Sequence, residues 1–425
     1  MSVSESTQVE RHVSVDRARS IFAECISAAT SVESIPITAA DGRILAADIS
    51  ANRNVPHYDR AAMDGFAVRA AETEHATDEA PVSLSITDGP VEPGTARGVD
   101  TGCPIPSGAT AVARIEKTIV TDDVVDVLES IPPGKDIAPV GEDVAAGDVL
   151  ARAGDQLTPA VLGVFRSLGI ESVPVRVPPT VAIVPTGDEI VTADPAPGEL
   201  IESNGLMVQG YATRWGASVK LERPVPDDRS AVVEALETAT EADLIVTIGG
   251  SSVGNRDLLP EVVADIGQLH VHHVSIKPGH PVGIARVSDT PLIMLPGYPV
   301  ACVINAVQFL RPACYWLQDA SPPAFPTYEA TVETTIESDL GIRRFERIRR
   351  LPDRNSAVVT PVGKRGSGSL TSVTTADGWL VIPEDCARLE AGTPVTVTNL
   401  TGPSATELGP QIGYGGSNRT GNTPV

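Results

Sequence analysis

The chain has 425 residues, of which 42% are hydrophobic and only 4% aromatic, so its cores must be mainly aliphatic. This length predicts two to four domains, at roughly 100–200 residues per domain. The 55 acidic side chains outnumber the 32 basic ones and give a formal net charge of −23, which argues against a general nucleic-acid binder.

The first elements along the chain are predicted from apolar spacing and capping residues. A helix is expected over residues 15–28, with Ser14 as its N-cap. Residues 52–147 carry short alternating runs, such as 82–86 and 124–128, between Gly and Pro, which is typical of a β-rich module. A second helix is expected to begin after Thr158 and to stop at Gly169.

After residue 179 the pattern alternates between strand and helix, which predicts a three-layer α/β domain with a mostly parallel sheet. Strands are expected at 181–185, 218–222, 244–248 and 292–295, and helices at 204–215, 229–240, 258–266 and 300–317. The chain is again strand-like from residue 325 to about residue 400. Residues 401–425 are polar and glycine-rich, which predicts a disordered tail.

Polar residues follow the strands of the α/β domain at their carboxyl ends, where ligands bind in such sheets. The segments concerned are 186–189, 226–228, 249–257 and 296–299. Carboxylates recur in three of them, and together they favour a divalent cation, most simply Mg²⁺. For any one of these residues, capping of the following helix is the simpler interpretation.

Two further segments are open to more than one interpretation. The glycine-rich residues 249–254 could hold a phosphate or form an ordinary turn between strand and helix. Residues 270–280 hold four of the seven histidines. We favour anion contacts from Lys277 and His273 over a zinc cluster, because alternation along a strand would place His270 and His272 on one face and His273 on the other. The sequence contains no G-x-S-x-G elbow, so it does not support a hydrolase nucleophile.

The composition also bears on the environment of the protein. Only five of the 32 basic residues are lysines, and such an acidic, lysine-poor surface favours a halophilic source over an ordinary acidic enzyme. The five cysteines are widely spaced, as expected of reduced and mostly buried thiols. No apolar run reaches the length of about 18 residues that a membrane helix needs, and the start lacks a signal-peptide core, so we expect a cytoplasmic protein.

Seven motifs, in order, resemble those of the molybdopterin molybdotransferase family, which includes MoeA and the E domain of gephyrin. The resemblance spans about residues 10–400. The seven motifs in this order identify the family far more specifically than any single motif does. They are DRAAMDGFAVR at 59–69, TGCPIP at 101–106, GEDV at 141–144, TGDE at 186–189, GGSSVGNRD at 249–257, IKPG at 276–279 and LPGYP at 295–299.

The resemblance implies a multidomain fold that joins the α/β and β parts, and a homodimer whose active site is shared between the subunits. The implied domains are an N-terminal helical and linker domain (1–51 and 147–178), an inserted β-rich module (52–146), a central α/β domain similar to molybdopterin adenylyltransferase (179–325) and a C-terminal β domain (326–400). Other proteins of molybdenum cofactor biosynthesis are implied as partners, and nucleic acids and membranes are not.

The implied reaction inserts molybdate into adenylylated molybdopterin and releases AMP, with Mg²⁺ as the cation. The resemblance assigns catalytic roles to Asp64, Thr101, Asp143 and Lys277. It assigns cation binding to Glu189, Asp228 and Asp257. It assigns substrate binding to Gly249, Gly250, Ser251, Ser252, Gly254, Lys277, Pro296, Gly297 and Ser367, the last within a loop at 364–369 that holds Lys364 and Arg365.

Several positions differ from the usual family pattern. His273 and His280 stand where lysines are common, and Ala138 stands where an arginine is frequent. Tyr298 and Ala301 change the LPGNPVS motif, and Ser251-Ser252 changes the glycine loop. These losses of charge leave open a scaffold protein that binds the pterin without turnover, or an enzyme that uses tungstate. Adenylyl transfer to molybdopterin is a weaker third possibility, because the extra β modules belong with the metal-inserting family.

Overall fold

The structure is a computed structural model that describes residues 9–28, 31–250, 258–351, 357–363 and 366–400. The chain folds into two compact units. The first comprises the described residues up to Glu33, then Gly42–Ile44, then those from Arg176 onward. The second comprises Ser34–Asp41 and Leu45–Val175.

The chain begins with strand β1 (Glu10–Val13) and helix α1 (Val15–Cys25). Ser14 caps α1, since its Oγ accepts a hydrogen bond from the backbone N–H of Arg17 at 3.2 Å. The helix ends three residues before the predicted end at residue 28, because Ile26 already has an extended backbone with φ −96° and ψ 127°.

Short strands and helix α2 (Pro159–Ser167) come next along the chain. The strands are β2 (Val32–Pro36), β3 (Ile49–Ser50), β4 (Arg60–Ala61), β5 (Gly65–Val68), β6 (Val82–Ile86), β7 (Thr95–Val99), β8 (Ala111–Arg114), β9 (Thr118–Thr121), β10 (Val124–Val127), β11 (Ile137–Ala138), β12 (Val149–Ala151) and β13 (Ser172–Arg176).

The largest sheet of the second unit has the order β8-β5-β7-β6-β10-β9. Its predicted strands at 82–86 and 124–128 are confirmed as β6 and β10. Their alternation is explained by burial, because Leu84, Val125 and Val127 point into one aliphatic core with Phe66 and Val68. The helix expected after Thr158 is confirmed as α2, with Pro159 in its first turn.

The first unit continues with alternating strands and helices. The strands are β14 (Thr180–Pro185), β15 (Ile190–Val191), β16 (Leu200–Ile201), β17 (Ser218–Leu221), β18 (Leu244–Ile248), β19 (Gly267–Val274), β20 (Ile276–Lys277), β21 (Gly283–Val287) and β22 (Thr290–Leu295). The helices are α3 (Asn204–Arg214), α4 (Arg229–Ala239), α5 (Leu258–Ile266), α6 (Pro299–Asn305) and α7 (Arg311–Trp316), with a π-helical segment at Ala306–Leu310 between α6 and α7.

The central sheet has the order β1-β19-β21-β22-β18-β14-β17. Four of its neighbouring pairs are parallel and two are antiparallel, which confirms a mostly parallel sheet. Along β14, Val181 and Ile183 enter one core with α1, α3, α6 and α7, whereas Ala182 and Val184 enter another with α4 and α5. The sheet therefore lies between two helical layers, as predicted.

The position of β1 and α1 differs from the predicted domain organisation, which assigned residues 1–51 to a helical and linker domain. Strand β1 pairs in parallel with β19 and extends the central sheet. The apolar face of α1, including Ile21 and Phe22, is buried in the core of the first unit. Helix α1 packs on the sheet because its apolar face needs an aliphatic partner. The other predicted domain boundaries stay predictions.

The C-terminal part of the first unit is a second sheet with helix α8 (Thr371–Thr374). Its strands are β23 (Thr327–Val332), β24 (Ile336–Glu337), β25 (Arg343–Arg350), β26 (Val358–Pro361), β27 (Gly378–Ile382), β28 (Arg388–Leu389) and β29 (Pro394–Thr398). The main sheet has the order β20-β25-β26-β23-β29-β27, so strand β20 of the IKPG motif forms its edge. The tail predicted at 401–425 lies outside the described residues.

All five cysteines are free thiols, as the sequence predicts, and Cys25, Cys302 and Cys314 are buried. Burial raises the pKa of the Cys314 thiol to about 12, so this group stays protonated and unreactive at neutral pH. Among the described residues, no helix combines the length and apolar character that crossing a membrane requires.

Candidate active site

In the second unit, two of the predicted catalytic residues are in direct contact. Asp64 follows strand β4, and its Oδ1 accepts hydrogen bonds from both the backbone N–H and the hydroxyl of Thr101, each at 2.7 Å. Both side chains are exposed to solvent. The DRAAMDGFAVR and TGCPIP motifs therefore form one surface site.

Hydrogen bonds to the main chain connect the DRAAMDGFAVR, TGCPIP and GEDV segments of this unit. The N–H of Gly102 donates to the carbonyl of Ala61, and the N–H of Ala61 donates to the carbonyl of Cys103. Asp59 extends the network to the GEDV segment, since its Oδ1 accepts the backbone N–H of Val140 at 2.9 Å. Asp143 of that segment is exposed. Because no hydrogen bond joins Asp143 to Asp64 or Thr101 in this fully described region, its predicted role stays a prediction.

Hydrogen bonding sets the charge state of Asp64. The Thr101 hydroxyl, and then the Thr101 backbone N–H, hold the pKa of the Asp64 carboxyl below its ordinary value. Both donors favour the carboxylate, so Asp64 is anionic at neutral pH. An anionic group at this position can accept hydrogen bonds from a substrate or from metal-bound water.

In the first unit, the register of three parallel strands brings distant motifs to one edge of the sheet. Pro185 pairs with Ile248, which pairs with Leu295. The chain therefore leaves strands β14, β18 and β22 at the same level, at Thr186, Gly249 and Pro296. This edge is the carboxyl end of the sheet, where the sequence predicts the ligand site.

The glycine loop begins in tight contact with the TGDE motif. Gly249 has φ +99°, and a β-carbon there would lie 2.4 Å from the carbonyl oxygen of Thr186. Only glycine fits this position, because both the backbone conformation and the space exclude a side chain. Gly297 of the LPGYP motif lies against Gly249. The carbonyl of Gly297 accepts a hydrogen bond from Asn204 Nδ2 at 2.7 Å. The remaining predicted loop residues, Ser251, Ser252, Gly254 and Asp257, lie outside the described residues.

Lys277 lies on edge strand β20, where its Nζ forms an exposed ion pair with Asp339 Oδ2 at 2.7 Å. Gly279, the glycine of the IKPG motif, is held by Asn305. Asn305 Nδ2 donates hydrogen bonds to the carbonyls of Gly279 and Ala301 at 3.0 and 2.9 Å. A β-carbon on Gly279 would lie 2.0 Å from that nitrogen. Asn305 therefore joins the IKPG loop to helix α6 after LPGYP.

Glu189 and Asp228 are both exposed at the ends of their loops. The loops are neighbours, because the N–H of Gly187 donates to the carbonyl of Val225 and the N–H of Asp227 donates to Asp188 Oδ1. Asp228 is also the N-cap of α4, where Oδ1 accepts hydrogen bonds from the Ser230 hydroxyl and the Ala231 N–H. The Ser230 hydroxyl, followed by the Ala231 N–H, lowers the pKa of Asp228, so this residue is a carboxylate at neutral pH.

The C-terminal loop reaches the LPGYP motif. The carbonyl of Ser367 accepts the N–H of Val300 at 3.0 Å, and Gly368 lies beside the exposed ring of Tyr298. Ser367 therefore lies beside the residue that follows the LPGYP motif, and its role in substrate binding stays a prediction. Lys364 and Arg365 of the same loop lie outside the described residues.

Sequence reasoning missed two positioning residues, Asn204 and Asn305. Each has a buried Oδ1 without a hydrogen-bond partner among the described residues. Asn305 had a signal in the sequence, since it interrupts the apolar run at 300–307. Asn204 had none, because it stands at the start of α3, where asparagine is ordinary.

We predict that Thr101→Val raises the pKa of the Asp64 carboxyl toward its ordinary value. Valine removes the hydroxyl, which contributes most to the lowered pKa, and keeps the backbone N–H. Titration of the Asp64 carboxyl carbon by ¹³C NMR measures the change, and Thr101→Ser is the matched control that keeps the hydroxyl. An unchanged pKa in Thr101→Val would contradict the described hydrogen bond.

Comparison with known proteins shows the family of this chain. Three family descriptions match along the chain: the MoeA N-terminal region (domain I and II) at residues 13–169, a probable molybdopterin binding domain at 182–315, and the MoeA C-terminal region (domain IV) at 329–400.

Relatives of known name match nearly the whole chain. "Molybdopterin molybdenumtransferase 2" of Mycobacterium tuberculosis is 33% identical over 91% of this chain and 100% of its own length. "Molybdopterin molybdenumtransferase" of Bacillus subtilis is 32% identical over 84% of this chain and 86% of its own length. The crystal structure of a "molybdopterin biosynthesis moeA protein" from Pyrococcus horikoshii has a TM-score of 0.76 at 31% identity, with 91% of this chain and 100% of that chain covered. The chain belongs to the MoeA family of molybdopterin molybdenumtransferases.

Proposed function

We propose that this protein acts in molybdenum cofactor biosynthesis as a molybdopterin molybdenumtransferase that inserts molybdate into adenylylated molybdopterin and releases AMP. The names of its relatives support the pathway and the transferase class. One observation in the structure carries the proposal for the site. The shared register of β14, β18 and β22 collects the TGDE, glycine-loop and LPGYP motifs at one sheet edge.

That edge suits a pyrophosphate group. Gly249 lets the glycine loop leave the sheet in close contact with Thr186, and the exposed Lys277 supplies a positive charge. As AMP leaves, negative charge develops on its phosphate oxygen, and a cation held in place stabilises that charge. We assign this role to Lys277.

The pairing of Lys277 with Asp339 is compatible with this role. Both side chains are about half exposed, at 51% and 54%, so the pair is well solvated. Exposed pairs typically contribute only about 0–1 kcal/mol, so a substrate phosphate can replace Asp339 at little cost. Asp339 then serves to hold the lysine in an extended position before the substrate binds.

The acidic side chains beside this edge fit a divalent cation. Glu189 and Asp228 offer exposed carboxylate oxygens on neighbouring loops, and oxygen donors are those that Mg²⁺ prefers. Both described hydrogen bonds to the Asp228 carboxylate go to Oδ1, which leaves Oδ2 for a cation. When bound, Mg²⁺ would neutralise phosphate charge. Glu189, Asp228 and the expected third ligand Asp257 would hold it.

In the second unit we assign orientation of the molybdate or pterin to Asp64, Thr101 and Asp143. The Asp64 carboxylate accepts two hydrogen bonds from Thr101, so its direction is fixed before a ligand arrives. Such preorganisation lowers the cost of placing reacting groups. We further propose a cytoplasmic homodimer in which Asp64 of one subunit acts with Lys277 and Asp228 of the other.

The first prediction separates the charge of Asp228 from its capping role. Asp228→Asn and Asp228→Ser keep an N-cap of similar quality and remove the carboxylate. We expect both variants to melt close to the wild type and to lose AMP release by at least about tenfold. Purified protein with adenylylated molybdopterin, Mg²⁺ and molybdate is the assay, and Glu234→Gln at an exposed position of the same helix α4 is the control.

The outcomes distinguish the alternatives. Wild-type rates in Asp228→Asn would mean that Asp228 is only a helix cap. Tight pterin binding by a folded wild type without AMP release would indicate a scaffold protein, and a higher rate with tungstate would indicate the other metal. AMP loading onto free molybdopterin from ATP would instead indicate adenylyl transfer.

The second prediction tests the shared site by mixing two inactive chains. If each site takes Asp64 from one subunit and Asp228 from the other, a dimer of an Asp64→Asn chain and an Asp228→Asn chain keeps one complete site. Refolding the two variants together in equal amounts should therefore restore about one quarter of wild-type activity. Half of the randomly formed dimers contain both variants, and in each of these one of the two active sites is intact. Separately refolded variants are the control, and no recovery from verified mixed dimers would contradict a shared site.

The third prediction concerns salt. Both proposed substrates are anions, and the chain carries a formal net charge of −23. Since the Debye length falls to about 3 Å at 1 M salt, screening removes most of this repulsion. We expect kcat/KM to rise between low salt and 1 M KCl, as a halophilic source also implies.

Sucrose at matched osmolality is the control for this measurement, because it lowers the activity of water as KCl does but does not screen charge. A flat or falling profile with KCl would contradict the halophilic interpretation.

A further inference from the structure

Three histidines that are far apart in sequence meet in the first unit. His12, His273 and His280 each offer a ring nitrogen, and these nitrogens lie within 4.8 Å of one another. The ring centroids of the three pairs are 4.9 to 5.4 Å apart. These residues lie on β1, on β19 and in the segment before β21.

The backbone around the cluster is firmly held. Strands β1 and β19 pair on both sides of the histidines, through Arg11 with His272 and Val13 with Val274. The N–H of His273 donates to Val282, and the carbonyl of His280 accepts from Val274 at 3.0 Å. The three imidazoles are therefore brought together by the fold and not by a chance contact of long surface side chains.

The prediction that His272 and His273 lie on opposite faces of a strand is wrong. His273 has φ +74°, which breaks the alternation, and its ring stacks on that of His272 with 4.0 Å between centroids. His12 likewise has φ +56°. These two turns of the backbone direct His12 and His273 toward each other, and no sequence pattern indicates them.

The hydrogen bonds of the cluster leave ring nitrogens available. His273 is only 7% exposed, yet neither of its ring nitrogens has a hydrogen-bond partner among the described residues. His280 Nδ1 lies 2.7 Å from the carbonyl of Val274, and since a carbonyl only accepts, Nδ1 must carry the proton. Nε2 is then the ring nitrogen of His280 that can bind a metal, and a second nitrogen bonded to a backbone carbonyl is the arrangement that orients metal-binding histidines.

We propose that His12, His273 and His280 bind a divalent transition metal of the Zn²⁺ class, separate from the Mg²⁺ of the proposed active site. Imidazole nitrogens select such metals over Mg²⁺. Tetrahedral zinc has Zn–N distances of about 2.0–2.1 Å, so the nitrogens would sit about 3.4 Å apart. The three rings are stacked, so binding requires them to rotate until their nitrogens converge from 4.8 Å. The exposed His12 gives the metal access from solvent.

The test uses the full-length protein, freed of metal with a chelator. Titration with Zn²⁺ against a chromogenic chelator should reveal a site of one ion per chain. Co²⁺ at the same site should give the visible absorption of tetrahedral cobalt, without the charge-transfer band of a thiolate ligand. Failure to bind either ion would overturn the proposal.

Variants assign the ligands. His12→Asn and His280→Gln should each weaken Zn²⁺ binding by at least about tenfold, and asparagine tolerates the backbone of residue 12. His270→Gln on the same strand β19 is the matched control and should bind as the wild type does, as should Asp228→Asn. Circular dichroism confirms that each variant is folded.

Two results would contradict the assignment. Zn²⁺ binding that survives in a folded His12→Asn/His280→Gln double variant would place the metal elsewhere. Binding of inorganic phosphate or molybdate that the same variants abolish, without metal binding, would identify an anion site instead. Neither result depends on whether the protein releases AMP.

Discussion

The parallel register of β14, β18 and β22 is the constraint on which the site in the first unit depends. Because Pro185, Ile248 and Leu295 are paired across the sheet, the residues that follow them must emerge side by side. The three motifs are separated by about fifty residues or more in sequence, and only this pairing unites them. The contact of Gly249 with Thr186 is so close that the register leaves no room for a side chain. The buried core of the sheet therefore fixes the level at which the loops after these strands begin.

The helices and most strands followed from the sequence because a single local property determines each of them. Alternation predicted β6 and β10, and apolar spacing predicted α4 and α5 almost to the residue. Strand β1 has no such signal, since the polar run ERHV becomes a strand only through its pairing with β19. The long helix predicted at 300–317 is continuous in direction but contains the π-helical segment at Ala306–Leu310, which apolar spacing does not reveal.

The same holds for the site residues: those marked by local sequence could be predicted, and those that depend on tertiary packing could not. The nearness of Asp64 and Thr101 came from a family resemblance, because no spacing rule joins residues 37 positions apart. The carboxylates after β14 and β17 could be located from the strand-end rule. The partnership of Asn305 with Gly279 depends on where a helix packs on a loop. The histidine cluster depends on two positive φ angles and on β1, so sequence reasoning, which considered residues 270–280 alone, could not include His12.

In so acidic a chain, the few basic side chains near the proposed site matter for binding an anion. Of the five lysines, Lys277 lies on the edge strand of the second sheet and pairs with Asp339 instead of folding onto the surface at random. In a chain with a net charge of −23, an unpaired lysine would attract whichever carboxylate is nearest. This single exposed pair orients Lys277, and under the proposed function a substrate phosphate would displace Asp339 from it. His273 does not replace a lost lysine charge, because burial lowers the pKa of its ring to about 4 and leaves it neutral at physiological pH. Under the proposed function, the charge of an anionic substrate would be balanced by Lys277, by a divalent cation and by the salt of the surroundings.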